Sequence, residues 1–185
     1  VDNEEPDREL LVQLLEPLGF ELRHAASGSA GLFHTAVLFD SRADLAASVY
    51  SVARKYPQQF TGSADHFVSE AFYFDDPEGN GVELYFDRPR DTWTWTDGQV
   101  SMGTVYLDPN GYIESNITEA GLSNAVGTDQ AASVGHVHLK VGDTKTARDF
   151  YEGVVGFDVT TTLGDQAIFF SVGGYHHHLA ANTWE

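Results

Sequence analysis

The sequence predicts an α+β protein built from repeated βαβββ modules, and three observations carry that prediction. The order strand, helix, strands occurs twice along the 185 residues. Both occurrences keep one spacing: His34 stands seven residues before Ser41, and His136 seven before Asp143, each at the start of a helix. In the first occurrence, two alternating, aromatic-rich runs between Asp65 and Asp87 flank Asp76-Pro77-Glu78-Gly79-Asn80-Gly81, a run of turn formers that closes a hairpin.

The elements follow from local chemistry. An acidic lead ends in Leu10-Leu11-Val12-Gln13-Leu14-Leu15, which reads as a short strand, and a small-residue loop runs from Ala25 to Gly31. Leu32 to Phe39 fits a strand. Ser41-Arg42-Ala43-Asp44 is a capping-box variant that opens a helix through about Lys55, with Leu45, Val49 and Ala53 on one face, and Pro57 stops it. A loop then leads to a strand at about Phe67 to Phe74, the turn at Asp76 to Gly81, and a strand from Val82 to Phe86. From Asp87 to about Val134 the composition changes to Trp93, Trp95, Pro109-Asn110-Gly111 and a polar, small-residue run from Ile113 to Ser133, expected to be a linker with some helix. The pattern restarts with a strand at Gly135 to Val141, a capped helix at Asp143 to Tyr151, and strands at Asp158 to Thr162 and Ala167 to Val172. Gly173-Gly174 turns the chain into a strand from Tyr175. The resulting division is 1–30 ahead of the repeat, a module at 31–90, a linker at 91–133 and a second module at 134–185.

Charge narrows the partners. Twenty-eight acidic against ten basic residues give a formal net charge of -18, with lysine only at Lys55, Lys140 and Lys145, so nucleic acid and anionic membranes are excluded as partners. This composition is similar to that of cytosolic proteins of extreme halophiles, in which high salt screens the self-repulsion. The absence of cysteine excludes disulfides, thiolate ligands and a thiol nucleophile, so His, Asp or Glu must hold any metal. No apolar run reaches the roughly 18–20 residues of a membrane span, and Val1 to Glu16 lacks a basic signal-peptide start, so a cytoplasmic protein is expected.

Glu83 is the residue that demands a reason. It shares a strand face with Gly81 and Tyr85, while Val82, Leu84 and Phe86 take the other, so either solvent or a specific partner must justify its charge. His34 and His136 occupy equivalent points of the repeat and can approach one cleft from opposite sides. Two imidazoles and a carboxylate form the facial triad that leaves open positions on non-haem Fe(II), and the same donors suit Mn(II), Zn(II) or Ni(II); the plainer alternative for each histidine is a satisfied core residue. His66, in a loop at the cleft mouth, can move protons near neutral pH or is simply solvated. Tyr73 can donate to a bound oxygen or pack among Phe72, Phe74 and Tyr85. In Tyr175-His176-His177-His178, alternation places His176 and His178 on one face and His177 on the other, so at most two could join His136 or His138 as ligands; a hydrogen-bonded hairpin is the preferred reading.

The segments GLFHTAVLF and GHVHLKVGD at the module starts, DHFVSEAFYF and GNGVELYFDRPRDTW in and after the hairpin, and GGYHHHLAANTW resemble the vicinal oxygen chelate superfamily. That superfamily includes glyoxalase I, bleomycin-resistance proteins and extradiol dioxygenases, and within it the chain is most similar to catechol 2,3-dioxygenase-like proteins. The resemblance covers Gly31 to the C-terminus. It implies the open, mixed, cleft-lining sheets of the glyoxalase/bleomycin resistance/dioxygenase fold, with Fe(II) held by His34, Glu83 and, at the repeat-equivalent position, His136. It also implies Tyr73 and His66 as catalytic residues, Tyr73 standing ten residues before Glu83 as in extradiol enzymes and His66 at a slightly shorter spacing than theirs. The implied activity is metal-dependent cleavage of a catechol-type aromatic diol by O2; a glyoxalase-like lyase or isomerase and a non-enzymatic small-molecule-binding protein are the alternatives. Members of this type carry four modules, so 1–30 reads as the remnant last strand of a preceding module with its loop. His34 and Glu83 would then combine either with a histidine outside this chain or with His136, and a homodimer is expected to cover the edges of an incomplete set.

Overall fold

The computed structural model describes residues 30–123 and 132–184. The strand expected at Leu10 to Leu15, most of the loop from Ala25 and the stretch 124–131 of the polar run lie outside the described residues. Strand β1 (Gly31–Phe39) leads into helix α1 (Arg42–Lys55). Ser41 accepts the Asp44 amide at 3.1 Å and donates its hydroxyl to the Asp44 carboxylate at 2.7 Å, while Arg54 and Lys55 stand at the negative end of the helix. The apolar stripe of α1 buries Leu45, Ala46 and Val49 against Phe39, Phe72, Phe74 and Leu84.

Strands β2 (Phe60–Asp65), β3 (Ser69–Asp75) and β4 (Gly81–Asp87) follow. In the turn between β3 and β4, the Asp76 carboxylate accepts the Glu78 and Asn80 amides at 2.8 Å each, and Gly79 takes a φ of +87° that a side chain would strain. This turn fixes a register in which Tyr73 lies directly opposite Glu83. Strand β2 occupies part of what the sequence suggested was a loop. Its Thr61-Gly62-Ser63-Ala64 has no apolar alternation to announce a strand, and pairing with β3 and with the short β7 (Val105–Tyr106) orders it. Between β4 and β7 lies a small hairpin, β5 (Trp95–Thr96) and β6 (Gln99–Val100), turned by Asp97 and Gly98, both at positive φ. Helices α2 (Pro109–Asn116), capped by Asp108, and α3 (Glu119–Ser123) come next.

Strand β8 (Ala132–Lys140), helix α4 (Thr144–Phe150), and strands β9 (Asp158–Leu163), β10 (Ala167–Ser171) and β11 (Leu179–Asn182) repeat the earlier order. Asp143 accepts the Lys145 and Thr146 amides at 3.2 and 2.9 Å, so both helix caps keep the same offset from His34 and His136. Helix α4 packs Ala147 against Ile168, Phe170 and Ala181. The strand expected from Tyr175 begins only at Leu179. Gly173 and Gly174 take φ of +65° and +66°, and the chain coils through Tyr175 to His178 before rejoining the sheet, so simple alternation does not govern the three histidines.

Among the described residues, all the longer strands belong to one open, curled, mixed sheet of nine strands in the order β7-β2-β3-β4-β1-β8-β11-β10-β9. Its centre is the antiparallel seam of β1 with β8, where His34 lies opposite His138 and Ala36 opposite His136; β4 runs parallel to β1, with Glu83 opposite Ala36. The alternation of these strands sends Leu84, Val82 and Phe86 toward α1 and leaves His34, Glu83, Tyr85, His136 and Tyr73 on the opposite, cleft-lining face. No helix among the described residues is long and apolar enough to cross a membrane.

Gly135, beside the seam, lies so close to the ring of Tyr85 that an added Cβ would overlap its hydroxyl and come within 2.6 Å of its Cζ. Tyr85 is fully buried and tied to Tyr175 by a 2.8 Å hydroxyl contact, so it cannot yield. Gly135→Ala is expected to cost about 1–3 kcal/mol, the usual penalty of overpacking. The check is the urea midpoint, and an unchanged midpoint contradicts this packing.

Candidate metal centre

Glu83 is only 3% exposed, and its surroundings supply the reason sought in the sequence. Its Oε2 lies 2.9 Å from His34 Nε2 and 3.1 Å from His136 Nε2, and one donor atom from each of the three residues falls within 4.8 Å of the others. Burial pushes the Glu83 carboxyl up, but the charge and hydrogen bonding of His136, together with the close approach of His34, outweigh it and hold the group well below its ordinary value, ionised at neutral pH. Adjacent donors on an octahedral ion with bonds of roughly 2.1 Å lie roughly 3.0 Å apart, which is the spacing of the two carboxylate–imidazole pairs here. His34 Nε2 is buried without a hydrogen bond despite its 2.9 Å approach to the carboxylate, so the contact alone does not satisfy it. Both the donor chemistry and this orphaned nitrogen fit a divalent cation.

His66 and Tyr73 stand beside the triad as a pair. The loop that carries His66 is held by Phe67, whose φ of +72° is rare outside glycine and whose amide donates to Asp65 at 2.8 Å. His66 Nδ1 lies 2.6 Å from the Gly103 carbonyl, which can only accept, so the proton sits on Nδ1. With the proton on Nδ1, Nε2 is placed to accept the Tyr73 hydroxyl at 2.6 Å. Burial, reinforced by the charge of Glu83, raises the Tyr73 hydroxyl well above the usual phenol range, so it remains a protonated donor.

The remaining histidines do not join the triad. His138 is buried with Nε2 taken by the Asn182 side-chain amide at 2.9 Å, and desolvation with the nearby His34 and His136 pushes it down to about 3, so it is neutral. His176 and His177 are both buried and meet at 2.7 Å through their Nδ1 atoms. Asp87 Oδ1 accepts His176 Nε2 at 2.8 Å, which leaves His176 Nδ1 as acceptor and His177 Nδ1 as donor. The His177 ring packs on that of His136, with centroids 4.1 Å apart, and His178 bonds Ser171 instead. Thus the run is a hydrogen-bonded element, as the sequence suggested, but His176 and His177 are not on opposite faces. Asp87 continues the Glu83–Tyr85 alternation, but its partner is 89 residues away, so no local pattern in the sequence marks it as a site residue.

His34, His66, Tyr73, Glu83 and His136 all border one cavity of about 850 Å³. Residues 133–183 match the family model described as the glyoxalase/bleomycin resistance protein/dioxygenase superfamily. The chain is 41% identical over 157 residues to the catechol-2,3-dioxygenase of Bacillus subtilis (strain 168), covering 83% of this chain and 53% of that protein. It therefore spans about half the length of the curated relative it matches. Among solved structures, it aligns with the Mn(II)-bound glyoxalase of Novosphingobium aromaticivorans at 20% identity over 80% of this chain and 41% of that one, with a TM-score of 0.28. A putative dioxygenase from Bacillus subtilis subsp. subtilis str. 168 aligns at 17% identity over 84% and 62% of the two chains, with a TM-score of 0.24.

Burial raises the hydroxyls of Tyr73, Tyr85, Tyr112 and Tyr175. The folded chain therefore retains protons that the unfolded chain releases near pH ~10, so this contribution to stability is fully present below about pH 10 and lost as pH rises above it. In a tyrosinate absorbance titration these four are expected to remain un-ionised near pH ~10 and to ionise at higher pH with unfolding. A native protein in which all eight tyrosines ionise together at that pH contradicts the burial.

Proposed function

Because the chain belongs to the glyoxalase/bleomycin resistance protein/dioxygenase superfamily, we propose that its cleft serves the ring-opening cleavage of a catechol-type aromatic diol by O2, with Fe(II) as the metal. The observation that carries this reading is the pair of imidazole nitrogens set around one buried carboxylate oxygen, with a tyrosine and histidine beside them. His34, Glu83 and His136 would hold the ion. Fe(II) supplies a centre that brings the diol and O2 together and passes charge between them. One carboxylate among the three donors leaves the loaded site cationic, which suits a diol that gives up a proton on binding.

The protein's own groups can take that proton. The Tyr73 oxygen has lone pairs free to accept from a diol hydroxyl, while its own O–H donates to His66 Nε2 across an oxygen–nitrogen separation of 2.6 Å. Passing both protons on together turns His66 into an imidazolium whose Nδ1–H is already received by the Gly103 carbonyl. Tyr73 never has to exist as a free phenolate, in keeping with its raised ionisation. The same hydroxyl can donate to a developing oxyanion once the diol is ionised. A purely sequestering cleft would have no use for a buried carboxylate, and a glyoxalase-like isomerisation would not consume O2.

Elemental analysis of protein purified and reconstituted with Fe(II) is expected to give about one metal per chain, lowered by at least ~10-fold in affinity by Glu83→Ala or His136→Ala. The reconstituted protein should consume O2 with a catechol; no O2 uptake with any catechol, together with unchanged metal content in Glu83→Ala, defeats the proposal. Tyr73→Phe is expected to retain the metal while kcat falls ~10²–10⁴-fold, the usual weight of a positioned proton-transfer group. A variant with unaltered kcat would remove Tyr73 from the mechanism.

A further inference from the structure

The cavity has unlike walls, and the difference speaks to what fills it. On the seam side, Phe33, His138 and Trp184 contact one another ring to ring, with centroids 5.1, 5.6 and 5.8 Å apart. His138 also meets His34 at 4.8 Å and Phe169 at 5.9 Å, so an aromatic surface begins at a candidate ligand and runs outward along the cavity. Nε2 of His138 is occupied by the Asn182 amide, and the ring is held among those of Phe33, Phe169 and Trp184. At the rim, Leu32 and Leu163 are 52% and 44% exposed. Apolar side chains left open around a concavity mark a surface that a bound partner covers.

Charge and size point the same way. Among the described residues that line the cavity there is no lysine or arginine, whereas Asp75 and Glu83 do line it. A carboxylate or sulfonate on the far side of a bound diol would find no counter-charge and would enter against a net charge of -18. The cavity, at about 850 Å³, is of the size that encloses drug-sized ligands, and a bare catechol of one ring and two oxygens would leave most of it empty.

We propose that the diol taken by this site is uncharged and carries an apolar extension, a second ring or a hydrocarbon chain of similar bulk, that lies along Phe33, His138, Phe169 and Trp184. For the diol itself this rests on the cleavage reading above; for the extension and the absence of charge it rests on the cavity alone. The test is calorimetric titration of the full chain with three monophenols that cannot be cleaved: phenol, 2-hydroxybiphenyl and 4-hydroxybenzoate. The expected result is at least ~10-fold tighter binding of 2-hydroxybiphenyl than of phenol, from burial of the second ring, with 4-hydroxybenzoate no tighter than phenol. Trp184→Ala should bring the first ratio toward unity. Should that variant fail to fold, Leu163→Arg, at an exposed rim position, should admit 4-hydroxybenzoate more tightly than the parent does. Equal affinity for phenol and 2-hydroxybiphenyl, or tighter binding of 4-hydroxybenzoate by the parent, overturns the inference. A chain that shows the expected ratios yet consumes no O2 with catechols sustains the inference and overturns only the cleavage reading.

Discussion

The burial of the Glu83 carboxylate governs the middle of this molecule. An ionised carboxylate shut away from water costs several kcal/mol unless opposite charge or hydrogen bonds answer it. The answer here comes from two directions. His34 belongs to β1, the immediate neighbour of β4, and His136 belongs to β8, which reaches the carboxylate only because β8 pairs with β1. The seam that unites the two halves and the site that uses them are therefore one arrangement. Removing the seam would strand Glu83 with a single imidazole, and removing Glu83 would leave two buried imidazoles facing each other.

Around that centre the remaining polar groups are committed in ways that fix protons. The Gly103 carbonyl sets the tautomer of His66, Asn182 sets that of His138, and Asp87 sets those of His176 and His177 in turn. The cleft is polyhistidine in composition yet has few open choices in protonation. This separates the triad, whose nitrogens converge on one oxygen, from histidines that are equally close in space but already partnered.

Parts of this were readable in the sequence because they are local or periodic. The interval between Tyr73 and Glu83 is the signature of two residues facing each other across a hairpin whose turn residues are unmistakable. The caps at Ser41 and Asp143 announced both helices and, through their common offset, the equivalence of His34 and His136. What escaped notice depends on distant partners. Strand β2 has a small-residue sequence and is ordered by its neighbours, and the path of Tyr175 to His178 is set by two left-handed glycines and by Asp87. The aromatic wall draws on Phe33, Phe169 and Trp184, which no linear pattern groups together.

The coiled segment after Gly174 reaches across the molecule. Tyr175 meets Tyr85 hydroxyl to hydroxyl at 2.8 Å, His176 meets Asp87, and the Arg90 guanidinium lies over the Tyr175 ring at 5.1 Å. All three partners come from the first half of the chain, and none of them belongs to β1 or β8. The two halves are thus fastened at a second line, like a clasp added to a hinge. A clasp of that kind makes unfolding cooperative, because neither half can loosen without breaking buried bonds in the other. The donors of the triad are therefore kept or lost together, and a half-assembled centre able to hold a metal in the wrong geometry has no folded state in which to persist.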